Sequence, residues 1–250
     1  MNPSESVLSH PSVQRIVRVA SALGDLARDV VFIGGSVAPL LHVDPLFPRP
    51  RPTRDVDAVI ATRNYADIGR CQERLRARGF RQDPTATHHV HRWVSPDQDL
   101  LDLVPAGAHL GGSAQRWDMV ALETSVDAEM GGGVTIRHAS APAFLALKWA
   151  AYRDRGEGDA FASPDLEDIL ALMAARPGLV GEVIETPAEI VRFVAVEAAR
   201  LLQRPEIEDL LAAHLNNAPD PAVTCRRVRE SLVRLAALDR DRMERPRIED

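Results

Sequence analysis

The stretch VFIGGSVAPLLH at residues 31–42, together with RPTRDVDAVI at residues 51–60, decides the fold of this chain. The first begins as a hydrophobic run typical of a buried strand and breaks at a Gly-Gly-Ser turn. The second places Asp55 and Asp57 inside another hydrophobic run, and alternate side chains of a strand point to the same face. We therefore predict two strands, with a tight turn after the first and two neighbouring carboxylates on the second.

The chain around these two strands first mixes helices with strands and then contains helices only. The patterns predict helices at residues 11–27 and 62–79, capped by Ser9 and Thr62, a hairpin of strands at residues 88–95 and 100–105, and a strand at residues 131–140. From residue 141 onward only helical periodicity remains. We therefore expect an α/β (α+β) domain with a small mixed sheet at residues 1–140, followed by a C-terminal helical domain at residues 141–250.

The composition is typical of a soluble globular protein. The 250 residues are 45% hydrophobic and 26% charged, and no apolar run approaches the roughly 18 residues that span a bilayer. The N-terminus lacks the pattern of a secretory signal, and Cys71 and Cys225 form no metal-type or redox-type pair. We expect a cytoplasmic protein without a membrane partner, and the net charge of −6 argues against general nucleic-acid binding.

Three aspartates interrupt predicted strands and suggest a cation site. Asp55 and Asp57 would repel each other on one strand face unless a cation lies between them, and Mg²⁺ binds carboxylates together with substrate phosphates. An exposed edge strand with two solvated aspartates is the alternative. Asp102 interrupts the strand at residues 100–105, which we expect beside the strand of Asp55. Three carboxylates from two strands are the ligands and base that two-metal phosphoryl transfer requires.

The turn at Gly34, Gly35 and Ser36 suggests a place for phosphates. A strand that ends in two glycines and opens a helix leaves backbone N–H groups available to an anion. The Ser36 hydroxyl then either caps the helix or touches a phosphate oxygen. An ordinary turn is the alternative, and the spacing and the lysine of a P-loop are missing.

Together these features resemble the DNA polymerase β-type nucleotidyltransferase superfamily. Its motif is a hydrophobic residue, Gly, Gly or Ser, a spacer, and then Asp-hydrophobic-Asp-hydrophobic. Here the motif reads IGGS at residues 33–36 and DVDAV at residues 55–59, with Asp102 matching the third carboxylate. The chain is most similar to the AbiEii-type (type IV toxin) branch, which RPTRDVD, LALKWAAYRDR and DLEDILAL resemble. The similar part covers residues 30 to 175 and implies a nucleotidyltransferase fold.

The resemblance also implies a set of site residues. The implied catalytic residues are Asp55, Asp57, Asp102 and Lys148, of which the three aspartates would hold two Mg²⁺ ions with the NTP. The implied nucleotide-binding residues are Gly34, Gly35, Ser36, Lys148, Asp165 and Asp168.

Lys148 is the sole lysine among thirty basic residues, and its compact ammonium is not interchangeable with a guanidinium. Chance retention of one lysine is the alternative to a role against the phosphates. Asp165 and Asp168 are three residues apart and share a helix face. They either hold Lys148 or Arg155 in place or cap a helix after Ser163.

The resemblance implies transfer of a nucleoside monophosphate from an NTP, such as ATP, to an acceptor hydroxyl. The toxin branch implies a tRNA 3′ end as acceptor and a cognate antitoxin as partner. A small-molecule acceptor, as in antibiotic nucleotidyltransferases, fits the acidic charge equally well. A non-catalytic scaffold that binds nucleotide or a partner protein is the competing hypothesis. The NTP, the acceptor, the oligomeric state and the role of the C-terminal helices stay open.

Overall fold

The fold is taken from a computed structural model that describes residues 3–84, 91–107, 110, 113–156 and 158–243. Its internal contacts divide the chain into two compact units. The first unit contains Met1–Leu41 and Pro50–Phe144, and the second contains His42–Arg49 and Leu145–Asp250. The predicted division into folding domains at residues 1–140 and 141–250 stays a prediction, since these contacts do not show which parts fold independently.

The first unit is built on a seven-stranded mixed sheet. Its strands are β1 Val30–Ile33, β2 Asp55–Ala61, β3 Arg81–Gln82, β4 Arg92–Val94, β5 Leu100–Ala106, β6 Val126–Glu129 and β7 Thr135–His138. Their order in the sheet is β3-β4-β5-β2-β1-β7-β6. The β2–β5 and β1–β7 pairs are parallel and the others are antiparallel. The predicted small mixed sheet and the α+β fold class are confirmed, whereas β6 was not predicted.

Short helices accompany this sheet. The helices of the first part of the chain are α1 Glu5–Leu8, α2 Pro11–Leu23, α3 Ala38–Leu41, α4 Tyr65–Ala77 and α5 Ser113–Glu123, with 3₁₀ helices at Gly24–Arg28 and Gly35–Val37. Two of the predicted N-caps are wrong. The ring of His10, rather than Ser9, accepts a hydrogen bond at the start of α2, where Pro11 fixes the first turn. Asn64, rather than Thr62, caps α4, because the Thr62 hydroxyl donates to the carbonyl of Ala106.

One face of the sheet is divided between an apolar part and an acidic part. Asp55, Asp57 and Val59 alternate along β2 and therefore share this face. A cluster of apolar side chains from the sheet and α5 covers the later half of β2; its members are Val31, Val59, Ala106 and Leu122, with Ile33, Val104 and Met119 packed against them. The apolar core thus fixes the strand while the two aspartates lie at its beginning.

The C-terminal region is helical, as predicted. Its helices are α6 Ala141–Ala151, α7 Pro164–Ala175, α8 Leu179–Ile184, α9 Ala188–Leu202, α10 Ile207–His214 and α11 Pro221–Met243, with a π-helical turn at Tyr152–Gly156. The short segment His42–Arg49 joins this unit through the N–H groups of Val43 and Asp44, which donate to the carbonyl of Ala175. Of the helices in the described ranges, none has the length and apolar character needed to cross a membrane.

Candidate functional site

The three strand aspartates meet on one face of two adjacent parallel strands. β2 carries Asp55 and Asp57, and β5 carries Asp102. In the register of this pair Asp57 lies directly opposite Asp102, whereas Asp55 lies opposite Leu100. The side chains are 35% exposed for Asp55 and 16% exposed for Asp102, so solvent reaches both carboxylates. Strand pairing thus brings together the residues that the sequence placed apart.

An arginine that the sequence did not single out lies between two of these carboxylates. Arg92 on β4 is opposite Asp102 in the antiparallel β4–β5 pair. Its Nε and Nη2 donate to the two oxygens of Asp102 at 2.8 and 2.6 Å. The same Nη2 donates to Oδ2 of Asp55 at 2.9 Å. The hydrogen bonds to Asp102 raise the pKa of Arg92 above its ordinary value, so the guanidinium stays charged.

Gly34 packs directly against the third carboxylate. Its backbone has φ of +69° and ψ of −169°, a conformation essentially limited to glycine. A Cβ at this position would lie 2.1 Å from Oδ2 of Asp57 and 2.9 Å from the Cβ of Asp57. Ile33, the last residue of β1, pairs with Asp57, so strand pairing fixes this close approach. The glycine break in the hydrophobic run therefore makes room for an acidic side chain.

The Ser36 hydroxyl is not accessible on the face that carries the aspartates. This disagrees with the expectation that it touches a phosphate oxygen. Ser36 is fully buried, and its Oγ donates to the carbonyl of Ile33 at 3.2 Å. The helix after the turn is also short, with the 3₁₀ helix Gly35–Val37 followed by the four residues of α3. This segment is only about two turns long, so no long helix dipole supports an anion here. The backbone of Gly34 remains the part of the turn next to Asp57.

Lys148 belongs to a buried ion cluster in the second unit. Its Nζ lies 3.1 Å from Oδ1 of Asp165 and 2.5 Å from Oδ2 of Asp168. Arg155, from the π-helical turn, places Nε 2.9 Å from Oδ2 of Asp165. Burial raises the pKa of Asp165, but the hydrogen bond from Arg155 and the charge of Lys148 outweigh it and hold that pKa below its ordinary value. Asp165 and Asp168 therefore position cations, and the predicted contact of Lys148 with phosphates stays a prediction.

Capping of α7 is carried out by a different residue. Ser163 accepts a hydrogen bond from the N–H of Leu166 at 3.3 Å through its Oγ. Ser163, and not Asp165 or Asp168, therefore caps α7.

The carboxylates of Asp55, Asp57 and Asp102 are donors of the kind that Mg²⁺ binds. Carboxylate oxygens on one face are suitable ligands for a hard cation. Within the described ranges, however, no group of three or more His, Cys, Asp or Glu side chains is arranged to hold a metal. At this site the guanidinium of Arg92 bonds to the oxygens of Asp55 and Asp102. The carboxylate oxygens are chemically suitable ligands for a divalent cation, and the Arg92 side chain lies against those of Asp55 and Asp102.

Comparison with known proteins gives few matches. No protein-family model matches the chain, and no curated protein matches it. Among solved structures, the chain is similar to the one described as the crystal structure of JHP933 from Helicobacter pylori. The TM-score is 0.46 and the sequence identity 14%, over 96% of this chain and 96% of that one. A similarity at this level assigns neither a family nor an activity.

Proposed function

We propose that the protein is a Mg²⁺-dependent nucleotidyltransferase that transfers a nucleoside monophosphate from an NTP to an acceptor hydroxyl. The observation that supports this most is the juxtaposition of Asp55, Asp57 and Asp102 on paired strands, with the Gly34 turn packed against Asp57. The resemblance of IGGS and DVDAV to the polymerase β-type superfamily agrees with this geometry. No single one of these features would support the activity alone.

Each carboxylate has a separate role in the proposed reaction. Asp55 and Asp57 would hold the cation, to which Asp102 would contribute a further oxygen, and bound Mg²⁺ would neutralise the triphosphate and polarise its α-phosphorus. Asp102 would accept the proton of the attacking hydroxyl, as a base next to the reacting atoms. The acceptor oxygen forms a bond to the α-phosphorus while the bond to the β-phosphate oxygen breaks. Pyrophosphate leaves, and the proton passes to Asp102.

Positioning and charge carry most of the proposed rate enhancement. The turn at Gly34 and Gly35 would place backbone N–H groups near the phosphates, because Asp57 fixes the turn against the cation ligands. Lys148 is proposed as a further phosphate ligand on the strength of the resemblance. Its ammonium is shared with Asp165 and Asp168, which hold it in one orientation and offset part of its charge.

The acceptor follows from the resemblance to the toxin branch. We propose a tRNA 3′ end, with a cognate antitoxin as a further partner. A small-molecule acceptor remains the alternative and agrees with the net charge of −6. A cytoplasmic location is part of the same proposal, since NTPs and tRNA are found there.

A non-catalytic nucleotide-binding scaffold is the second candidate, and Arg92 is the observation that favours it. A guanidinium on Asp55 and Asp102 offsets their charge, as in a site that no longer needs a metal. Such a scaffold would bind nucleotide without transferring it to any acceptor.

Label transfer separates the two candidates. The protein is incubated with Mg²⁺ and each α-³²P-labelled NTP, with total tRNA, with a protein-free metabolite extract, or with neither. Asp57→Asn and Asp102→Asn are compared with Asp127→Asn, an exposed aspartate on β6 of the same sheet. Under the proposal, label moves to an acceptor with the wild type and Asp127→Asn but not with the two site variants. Nucleotide binding without a labelled product in any mixture would contradict the proposal and favour the scaffold.

A further inference from the structure

The Arg92 guanidinium occupies the position that a cation between Asp55 and Asp102 would take. It bonds to Oδ2 of Asp55 and to both oxygens of Asp102, at 2.6 to 2.9 Å. These two carboxylates come from different strands, and β4 supplies the arginine from a third. One side chain thus joins the two halves of the proposed metal site.

We propose that Arg92 is an internal competitor of the divalent cation, which must leave Asp55 and Asp102 before the metal binds. The proposal rests on the proposed function, because it concerns the same carboxylates. Once released, the guanidinium of Arg92 binds the triphosphate of the incoming NTP. Arg92 thereby couples metal binding to nucleotide binding.

Competition follows from the geometry of the donors. Mg²⁺ binds oxygen ligands at about 2.0–2.1 Å in near-octahedral geometry. Oδ2 of Asp55 and both oxygens of Asp102 already accept charge-assisted hydrogen bonds from Arg92. Bidentate pairs of arginine with a carboxylate are among the stronger hydrogen-bonded contacts. A divalent cation between Asp55 and Asp102 would be repelled by the charged guanidinium already there, so binding of one weakens binding of the other.

Arg92 is placed so that it can leave. Its side chain is 19% exposed, and its partner Asp55 is 35% exposed, so the cluster lies open to solvent. This differs from Lys148, whose partner Asp165 is 1% exposed.

The released guanidinium needs an anionic partner. Free Mg²⁺ brings none, whereas a metal-bound triphosphate offers oxygens that a guanidinium fork recognises well. The wild-type protein should therefore bind the free cation weakly and the metal–NTP complex much better. A purely structural salt bridge between β4 and β5 would alter stability but not this difference.

Titration with Mn²⁺, followed by the electron paramagnetic resonance signal of the free ion, tests the inference without an activity assay. The variant is Arg92→Gln, which keeps hydrogen-bonding capacity and removes the charge. The matched control is Arg81→Gln, an exposed strand arginine that donates to Gln98. In the wild type, the charge-assisted hydrogen bonds of Arg92 to Asp55 and Asp102 must break before the ion binds, which lowers the affinity. We therefore expect Arg92→Gln to bind free Mn²⁺ about tenfold more tightly than the wild type or the control.

Nucleotide coupling gives a second readout. A non-hydrolysable NTP should tighten Mn²⁺ binding more in the wild type than in Arg92→Gln. Arg92→Lys, which cannot bridge both carboxylates, should bind the free ion with intermediate affinity and serves if Arg92→Gln fails to fold.

Two results would overturn the inference in different ways. Equal affinity for free Mn²⁺ in the wild type and Arg92→Gln would reject the competition, while label transfer that depends on Asp57 would leave the proposed function intact. Failure of every protein to bind Mn²⁺, with and without nucleotide, would reject both.

Discussion

Replacing Gly34 by alanine tests whether the turn after β1 is shaped to accommodate the Asp57 carboxylate. The backbone at Gly34, with φ of +69° and ψ of −169°, costs a non-glycine residue about 1–3 kcal/mol. The added Cβ would also lie 2.1 Å from Oδ2 and 2.9 Å from Cβ of Asp57. The carboxylate can rotate away, but the Asp57 Cβ is fixed by pairing with Ile33. Such overpacking costs about 1–3 kcal/mol more.

Gly131 is the matched control, because it isolates the backbone cost. Its φ is +80°, and an added Cβ would meet nothing within 4 Å. Alanine there should cost about 1–2 kcal/mol, the usual penalty for a left-handed residue. We expect Gly34→Ala to lower the free energy of unfolding by at least about 1 kcal/mol more than Gly131→Ala does.

Urea unfolding monitored by far-UV circular dichroism measures both variants. In an Asp57→Ala background the Gly34→Ala penalty should shrink in part, because the contacts with Oδ2 at 2.1 Å and Cγ at 2.8 Å are removed and only the contact with the Cβ at 2.9 Å remains. Equal destabilisation by Gly34→Ala and Gly131→Ala would refute the close approach to Asp57. An unchanged Gly34→Ala penalty in the Asp57→Ala background would refute it independently.

Two further predictions concern buried charges. Burial raises the pKa of Asp118 to about 6, so the folded state binds this proton more tightly and loses stability as pH rises through about 4 to 6. Asp118→Asn should therefore raise the free energy of unfolding, measured with urea, by about 2–3 kcal/mol at pH 7.5 and by little at pH 4. Equal increases at both pH values would contradict this. Lys148→Met leaves Asp165 and Asp168 buried without the lysine and should lower the free energy of unfolding in urea by about 3 kcal/mol or more. A decrease below about 1 kcal/mol would show that the cluster is not a stabilising ion pair.

The strands of the site could be predicted because their residue pattern is local. Alternation in DVDAVIA placed both aspartates on one face, and the glycines of IGGS ended the preceding strand. The same alternation at Asp102 led to the expectation of an adjacent strand, which the β2–β5 register bears out. The fold class followed from the order of strands and helices along the chain.

Arg92 could not be found from the pattern because the pattern does not specify the register of the hairpin. A four-residue turn at residues 96–99 would place Arg92 opposite Leu103. In the structure the loop has three residues, because Ser95 pairs with Asp99 and Gln98 adopts φ of 65°. This shift of one position places Arg92 opposite Asp102 and on the face of the carboxylates.

β6 and Ser36 were missed for different reasons. β6 has the sequence VDAE, and four residues with a single valine and a single alanine are too few for the alternation to stand out as a strand. For Ser36 the sequence predicts either a helix cap or a phosphate contact, but the turn tightens into a 3₁₀ helix and the hydroxyl donates to the carbonyl of Ile33. Tertiary packing, rather than local preference, determines both.

The central claim is that the bond between the α- and β-phosphates is the one that breaks at this site, with Asp57 and Asp102 required. Parallel reactions with α-³²P-labelled and γ-³²P-labelled NTP, in the presence of total tRNA, measure it directly. The account predicts that the α-label enters the acceptor while the γ-label appears as pyrophosphate in equal amount, and that Asp57→Asn and Asp102→Asn abolish both. Transfer of the γ-label to the acceptor, or undiminished α-label transfer by Asp57→Asn, would contradict it.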